Sequence, residues 1–503
     1  MNPVEPQRLK LRRIPIDTSR ENVVFLHADC GAFPTLGFRA LSKVQLSFDH
    51  KTAIGTLDVV RAPWLGVDEV GVCEYMFERL GVAEGAWVAL SYPGMLESTN
   101  SIRRKLAGAR LSRAEYDQIV RDIVDDRFSK VELTAFVCAC SQNNLDRDEI
   151  VDLTEAMVAV GRTLSWDGGM VVDKHCIGGI PGNRTTPIVV SILAAHGLKV
   201  PKTSSRAITS PAGTADTMEV FCNVELSLPR MREIVDKHNG CLAWGGAIDL
   251  SPADDVIISV ERPLNIDSEG QMIASILSKK KSAGSTHLVL DIPLGPTAKV
   301  RRPETAAGLR RMFEYVAGRV GMHVEVVISD GRQPVGRGVG PVLEARDVLA
   351  VLRNEANAPA DLREHALALA GRGLEFAPGV RGGQGLELAR EILRSGKALA
   401  RFEAIVDAQG RRARPPEVGA YSFEIKAGRA GTVQRMDNFS IARLAKLAGA
   451  PVSKGAGVEV LRKLGEPVKT GEPVLRVHSA TPAERRLAEQ YAENEKEMVS
   501  CEP

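Results

Sequence analysis

Three rhythms of apolar and polar positions follow one another along this chain, and each change of rhythm marks a change of architecture. Up to about residue 90 the apolar positions fall in short or alternating runs between turns. Val23–His27, Val44–Phe48 and Thr52–Val60 read as strands. One helical stretch, Asp68–Leu80, follows with Asp68 as its cap. From about 93 the period becomes helical, with three clean starts. Ser112/Glu115, Ser129/Glu132 and Asp146/Glu149 each set a cap residue three positions before a glutamate, the capping-box spacing, and predict a helical bundle. From about 167 strand and helix alternate. Met170–His175 reads as a strand, Thr185–His196 as a helix closed by Gly197, and Leu198–Ser204 as a strand. A helix opens near Thr214, and Cys241–Ile248, His287–Ile292 and His323–Ser329 are further strands. Gly373–Gly385 and Gln409–Glu417 read as loop or linker. Tyr421–Ser479 has the turn spacing of a small β-rich lobe, and Thr481 caps a last helix that runs out as a charged, solvated tail. The chain is thus expected to be an α/β multidomain protein.

Length agrees with that division, since 503 residues exceed what one core supports and predict two to four domains. A hydrophobic content of 44% with 25% charged residues is that of an ordinary soluble protein, and a net charge of +2 argues against a protein that coats nucleic acid. The eight cysteines form no paired C-x-x-C set with histidines, so no structural zinc is expected. Cys138 and Cys140 read as buried free thiols. The start lacks the apolar core of a signal peptide, and no run of about 18 apolar residues predicts a membrane span. With reduced thiols, these features place the protein in the cytoplasm and away from membranes.

The chemistry concentrates between Met170 and Glu219, where two apolar strands each run into a glycine-rich turn and then a helix. The first is M-V-V-D-K-H-C-I-G-G-I-P-G-N-R, 170–184; the second is K-T-S-S-R-A-I-T-S-P-A-G-T-A-D-T-M-E, 202–219. Glycine lets backbone approach a ligand closely, and a helix N-terminus offers unpaired N–H groups at a positive dipole end, so each turn suits an anion, above all phosphate. Lys174, His175, Arg184, Lys202 and Arg206 lie in these two turns and point to a substrate rich in phosphate. Ser204, Ser205, Thr209, Ser210 and Thr214 add hydroxyls that bind phosphate without a metal, and Arg206 could add a bidentate contact. Serines and threonines that merely cap turns are the alternative. His27, His50, His196, His238, His287, His323, His365 and His478 have no comparable context and read as structural or surface residues.

K-H-C-I-G-G at 174–179, S-S-R-A-I-T-S-P-A-G-T-A-D-T-M-E at 204–219 and A-S-I-L-S-K-K at 274–280 resemble the three signature blocks of the thymidine phosphorylase-like nucleoside phosphorylases. P-G-N-R-T-T-P-I-V-V, S-S-R-A-I-T-S and the N-terminal extension are similar to the long branch of that family containing AMP phosphorylase. The resemblance covers nearly the whole chain. It implies a β-rich N-terminal domain for assembly (1–92) and a helical domain on the base side (93–165 with 252–283). This would face an α/β phosphate-binding domain (166–251 with 284–410) across a cleft, with a C-terminal β-rich lobe and helix at 411–503. By the same resemblance Lys174, Ser204 and Thr214 match phosphate positions, and His175, Ser275 and Lys279 match base-contacting positions. The nucleotide contacts of AMP phosphorylases resemble Gly179, the run Ser205, Arg206, Ala207, Ile208, Thr209 and Ser210, then Thr214, Ser275 and Lys299. Asp267 matches the proton donor, with Lys279 or His175 assisting. Asp267 could equally be the N-cap of a helix over Glu269–Leu277.

Two departures matter. Pyrimidine-specific members carry an arginine seven residues before the position of Asp267, where this chain has Val260; losing a planar donor fork weakens a pyrimidine reading. Cys176 stands where the nucleoside enzymes usually have serine, and a thiol is a poor donor. The expected reaction is phosphorolysis of a nucleoside 5′-monophosphate, AMP before CMP or UMP, to free base and ribose 1,5-bisphosphate. Arg184 and Lys299 are candidates for the 5′-phosphate. Inorganic phosphate is a co-substrate and no cofactor or metal is called for. A pyrimidine nucleoside phosphorylase for thymidine or uridine is the alternative. A phosphoribosyltransferase using Asp254–Asp255 for Mg²⁺, or a non-catalytic nucleotide sensor, stand further off. The resemblance also implies at least a homodimer through the helical domain.

Overall fold

The computed structural model describes residues 7–18, 21–94, 96–141, 145–167, 169–207, 210–248, 250–264, 266, 268–495 and 497–502. Three of the candidate site residues, Ile208, Thr209 and Asp267, lie outside the described residues. The chain divides into two compact units: Met1–Gly161 with Ser251–Ser278, and Arg162–Leu250 with Lys279–Pro503.

The first unit opens with a closed six-stranded barrel. Its strands are Gln7–Ile14, Val23–His27, Lys43–Phe48, Lys51–Val60, Glu69–Cys73 and Trp87–Ser91. In circular order the first is followed by the fifth, second, fourth, third and sixth. Alternation builds it: Leu9, Leu11, Val24, Leu26, Val44, Leu46, Val70 and Val72 point inward and are almost wholly buried. The helix expected from Asp68 starts later. Glu69–Cys73 is a strand paired in parallel with Lys10–Ile14, and the helix is Glu74–Leu80 with Cys73 at its N-cap. The β-branched run E-V-G-V-C gains a strand partner on each side, which outweighs the local cap signal.

The helices Glu97–Leu106, Arg113–Val124, Lys130–Ala139, Arg147–Val160, Pro252–Leu264 and the start of Glu269–Ser282 complete this unit. All three capping boxes form at Ser112, Ser129 and Asp146. Glu149 does more than cap. It is buried, takes the Lys105 ammonium at 2.6 Å, and accepts the Tyr116 hydroxyl at 3.0 Å and the Asp146 amide at 3.2 Å, so both oxygens of a buried charge are engaged. Cys140, the C-cap of helix Lys130–Ala139, is buried as expected, but Cys138 in its last turn is exposed, because two positions on is roughly 200° round the axis.

In the second unit, parallel strands run in the order His323–Asp330, His287–Leu294, Val172–Cys176. A single parallel bridge, Val171 to Lys199, links this sheet to the pair Val200–Ser204 and Gly240–Trp244. The helices Thr185–His196, Ala360–Leu374 and Lys397–Gln409 pack together over it around a core that includes Ile188, Ile192, Leu369, Phe402 and Ile405. Gly197 ends the first of these helices in a left-handed conformation. The strand expected over Cys241–Ile248 stops at Trp244 and becomes a short 3₁₀ turn.

The C-terminal lobe holds two antiparallel sheets and the helices Asn438–Leu447 and Pro482–Asn494. Gly338–Val339 pairs with Val458–Glu459, so the lobe's sheet borrows an edge from the α/β portion. The tail does not run out into solvent: Val499–Glu502 returns as a strand against Thr432–Met436, burying Met498 and Cys501. Among the described residues no helix is long and apolar enough to cross a membrane.

Candidate active site

Strand Val172–Cys176 sorts its side chains by twos. Asp173 and His175 meet one set of partners; Lys174 and Cys176 meet another. The adjacent lysine and histidine therefore work in different environments.

On the lysine side, the buried Lys174 ammonium donates to the Thr185 hydroxyl at 2.8 Å and lies 4.0 Å from Asp291. Asp291, wholly buried on the neighbouring strand, gathers four groups. Ser329 donates to it at 2.6 Å, Asn183 donates at 3.3 Å, and the His365 imidazole lies 3.3 Å away. Burial works to raise its pKa, but His365, Lys174 and the Ser329 hydroxyl prevail and hold it below the usual carboxylate range. Cys176 is pushed up to about 12 by burial and by Asp291, so it is a neutral thiol. Its sulfur accepts from the Gly178 amide and the Asn183 side chain, both at 3.4 Å, which is how the loop accommodates a thiol in place of a hydroxyl.

The turn itself depends on glycine. Gly178 and Gly179 have φ of +87° and +91°, and a Cβ on Gly179 would overlap the backbone of Lys299. Two residues singled out from the sequence, 120 positions apart, thus meet backbone to backbone.

On the histidine side, Asp173 sits between two buried lysines, 3.1 Å from Lys202 and 2.8 Å from Lys280. Lys280 also donates to the Thr203 carbonyl at 3.4 Å. Burial pulls its pKa down to about 7, against the pull of Asp173. Lys279, its neighbour on helix Glu269–Ser282, and Ser275 are half-buried and lie one turn apart, hence on the same face of that helix. Burial, then the ammonium groups of Lys280, Lys202, Lys279 and Lys174, hold the His175 imidazole well below its usual pKa and so neutral.

A pH prediction follows. The unfolded chain binds a proton on His175 at about pH 6.5, while the folded site resists it until lower pH. This residue's contribution is therefore full above about pH 6.5 and is lost as the pH falls toward the folded value. His175→Asn is expected to flatten the decline in unfolding free energy as the pH falls below about 6.5. Denaturant titrations at several pH values measure it; an unchanged slope contradicts the assignment.

The second loop is wound around Asp216. Its carboxylate accepts from the Ala207 and Gly213 amides at 2.7 and 2.9 Å, and Gly213 packs so tightly on Ser205 and Arg206 that a Cβ would overlap their backbone. Ser210 donates to the Ala212 carbonyl at 2.8 Å. Lys454 of the C-terminal lobe clamps the loop from outside, 3.2 Å from Asp216 and 2.8 Å from Glu219. Arg206 is committed internally. It grips Glu219 through both NH groups at 2.8 and 2.7 Å, reaches Glu225 at 3.1 Å, and stacks over Trp244 at 4.6 Å. Glu219 falls to about 2 accordingly. Ser205 is exposed. The buried Ser204 hydroxyl has no hydrogen-bond partner among the described residues, an uncommon state that a bound oxyanion would relieve.

Sequence reasoning placed Lys174, Gly179, Ser204 and Lys299 in this region but missed Asp291, Glu344, Asn183 and Thr185. Asp291 had a readable signal: a carboxylate inside the apolar run L-V-L-D-I-P-L is costly unless partnered. Glu344 had none, because its partner Arg184 is 160 residues away. Around helix Glu269–Ser282 the cap role goes to Ser268, whose hydroxyl accepts from the Gln271 amide at 3.4 Å.

Most of the chain matches known proteins. Residues 99–161 match a glycosyl transferase family helical bundle domain, and 168–399 match the α/β domain of the same family. Residues 432–498 match a pyrimidine nucleoside phosphorylase C-terminal domain. Two relatives bear the name "Putative thymidine phosphorylase". One, from Albidiferax ferrireducens, is 56% identical over 96% of this chain and 93% of its own; the other, from Methylococcus capsulatus, is 54% identical over 96% and 94%. Anthranilate phosphoribosyltransferase from Thermus thermophilus superposes with a TM-score of 0.52 at 21% identity, over 61% of this chain and 99% of that one, a likeness of fold. A helical bundle joined to an α/β domain with a phosphorylase C-terminal lobe, and relatives this similar across almost their full length, make this chain a pentosyltransferase of the thymidine phosphorylase-like family.

Proposed function

We propose that this chain cleaves the N-glycosidic bond of a nucleoside 5′-monophosphate with inorganic phosphate, AMP being favoured, and releases free base and ribose 1,5-bisphosphate. A phosphate oxygen bonds to C1′ as the C1′–N bond breaks, and the electron pair leaves with the base. Lys174 and the Ser204 and Thr214 hydroxyls hold the attacking phosphate, which supplies proximity. Asp267 protonates the departing base. Lys279, Ser275 and the neutral His175 contact it. Lys299, whose backbone abuts Gly179, holds the 5′-phosphate.

Val260 carries the choice of substrate. It occupies the position where pyrimidine-specific members have an arginine, and it is buried on helix Pro252–Leu264. Four lysines lie around His175, with Asp173 and Asp291 as the buried carboxylates among them, and the remaining positive excess suits phosphate groups and charge growing on a leaving base.

A second reading is a pyrimidine nucleoside phosphorylase. It is favoured by the names of the relatives and by the match of the C-terminal lobe. Base release from AMP, CMP, UMP, thymidine and uridine with saturating phosphate, followed by chromatography, separates the two. The nucleotide reading expects AMP to exceed both nucleosides by at least about 100-fold in kcat/KM, the worth of about 2.7 kcal/mol. Turnover of thymidine with none of any nucleotide overturns it.

A further inference from the structure

Arg184 follows the first loop directly and precedes helix Thr185–His196, yet its guanidinium serves the second loop. Its Nε donates to Glu344 at 2.7 Å, one terminal nitrogen donates to the Thr214 hydroxyl at 2.8 Å, and the other donates to the Ala212 carbonyl at 2.9 Å. Glu344 is itself buried on the first turn of helix Pro341–Leu352. It also accepts from the Thr217 hydroxyl at 3.0 Å and the Gly340 amide at 3.2 Å. All three edges of the guanidinium fork are thus engaged inside the protein.

We propose that Arg184 is a positioning residue that turns the Thr214 hydroxyl into a donor aimed at the attacking phosphate. A guanidinium has no acceptor, so the contact it makes with Thr214 occupies a lone pair of the hydroxyl oxygen and leaves the hydroxyl proton unspent. That proton must find an acceptor elsewhere, and an oxyanion in the loop is one. The planar fork also fixes the spacing between Ala212 and Thr214, which a point charge on a flexible stem does not do. The first loop uses the same device, where the Lys174 ammonium donates to the Thr185 hydroxyl at 2.8 Å. The cation therefore acts through a threonine and does not itself touch the 5′-phosphate.

This inference rests on Thr214 being a phosphate ligand, and the test separates the two claims. Initial rates are measured with phosphate varied at saturating nucleotide for Thr214→Val, Arg184→Lys and the double variant. Each single change is expected to raise the KM for phosphate about tenfold, the scale of one hydrogen bond to an anion. The KM for nucleotide should stay within about twofold. The double variant is expected to be no worse than either single one, because Arg184 acts through Thr214. Fully additive losses, or an Arg184→Lys enzyme with a lowered Tm and an unchanged phosphate KM, overturn the proposal and leave the phosphate site standing. An unchanged phosphate KM in Thr214→Val overturns the phosphate role of that loop, and the proposal with it. Should Arg184→Lys fail to fold, the pair Arg184→Met with Glu344→Gln strands no buried charge and is read in the same way.

Discussion

Replacing Lys174 by methionine is expected to lower kcat/KM for phosphate by about 10³-fold, the upper range for removing one preorganised charge-stabilising donor. Two effects overlap in that number and can be pulled apart. The ammonium is almost wholly buried, 4.0 Å from Asp291, so its removal also strips a partner from a buried carboxylate. Breaking a buried ion pair from one side costs about 3–5 kcal/mol, although Ser329, Asn183 and His365 still serve Asp291 and moderate it. Combining Lys174→Met with Asp291→Asn removes the stranded charge while keeping an acceptor for Ser329. The double variant should regain most of the lost Tm but none of the activity. Recovery of activity along with stability contradicts a direct role for Lys174 and reduces it to a structural cation.

Asp267→Asn is expected to lower kcat by roughly 10²–10⁴-fold, the range for a positioned general acid, with both KM values within a few-fold. Asp267 lies outside the described residues, but its neighbours on either side are anchored. The Ile266 amide donates to the Glu261 carbonyl at 3.1 Å, and the Ser268 hydroxyl donates to the Cys140 carbonyl at 3.0 Å. With Ser268 serving as the helix cap, Asp267 is not needed for that purpose, and Asn, itself a good cap, would leave stability near that of the parent. The loss should also shrink for nucleotides whose base leaves as a more stable anion, since those need the proton least. A kcat within threefold of the parent, or an equal loss for every leaving base, removes Asp267 from the mechanism.

What could be read from the sequence was what local chemistry decides. A serine or aspartate three residues ahead of a glutamate closes a capping box whatever surrounds it, and all three did so. Thr185–His196 with Gly197 was legible for the same reason. Misreadings arose where a partner distant in sequence decides the outcome. Glu69–Cys73 became a strand because Lys10–Ile14 was there to pair with it, and Val499–Glu502 left the solvated tail because Thr432–Met436 offered an edge. The candidate site divides likewise. The lysine, glycines and hydroxyls of the two loops could be found from motif and resemblance. The sequence could not show which cations were already spoken for. Arg184 belongs to Glu344, Arg206 to Glu219 and Glu225, and Lys202 and Lys280 to Asp173. Of the five residues read as a phosphate-rich cradle, His175 is neutral and Lys174 has the longest ion pair, 4.0 Å to Asp291. The positive field is real, but most of its charges brace the loops that shape the pocket.

The most direct test follows phosphorus. In a reaction of AMP with excess inorganic phosphate watched by ³¹P NMR, two sugar phosphate signals of equal intensity should grow as adenine is released mole for mole. The inorganic phosphate signal should fall by the same amount. Adenine appearing with ribose 5-phosphate and undiminished inorganic phosphate, or AMP left untouched by an enzyme that consumes thymidine, contradicts the account.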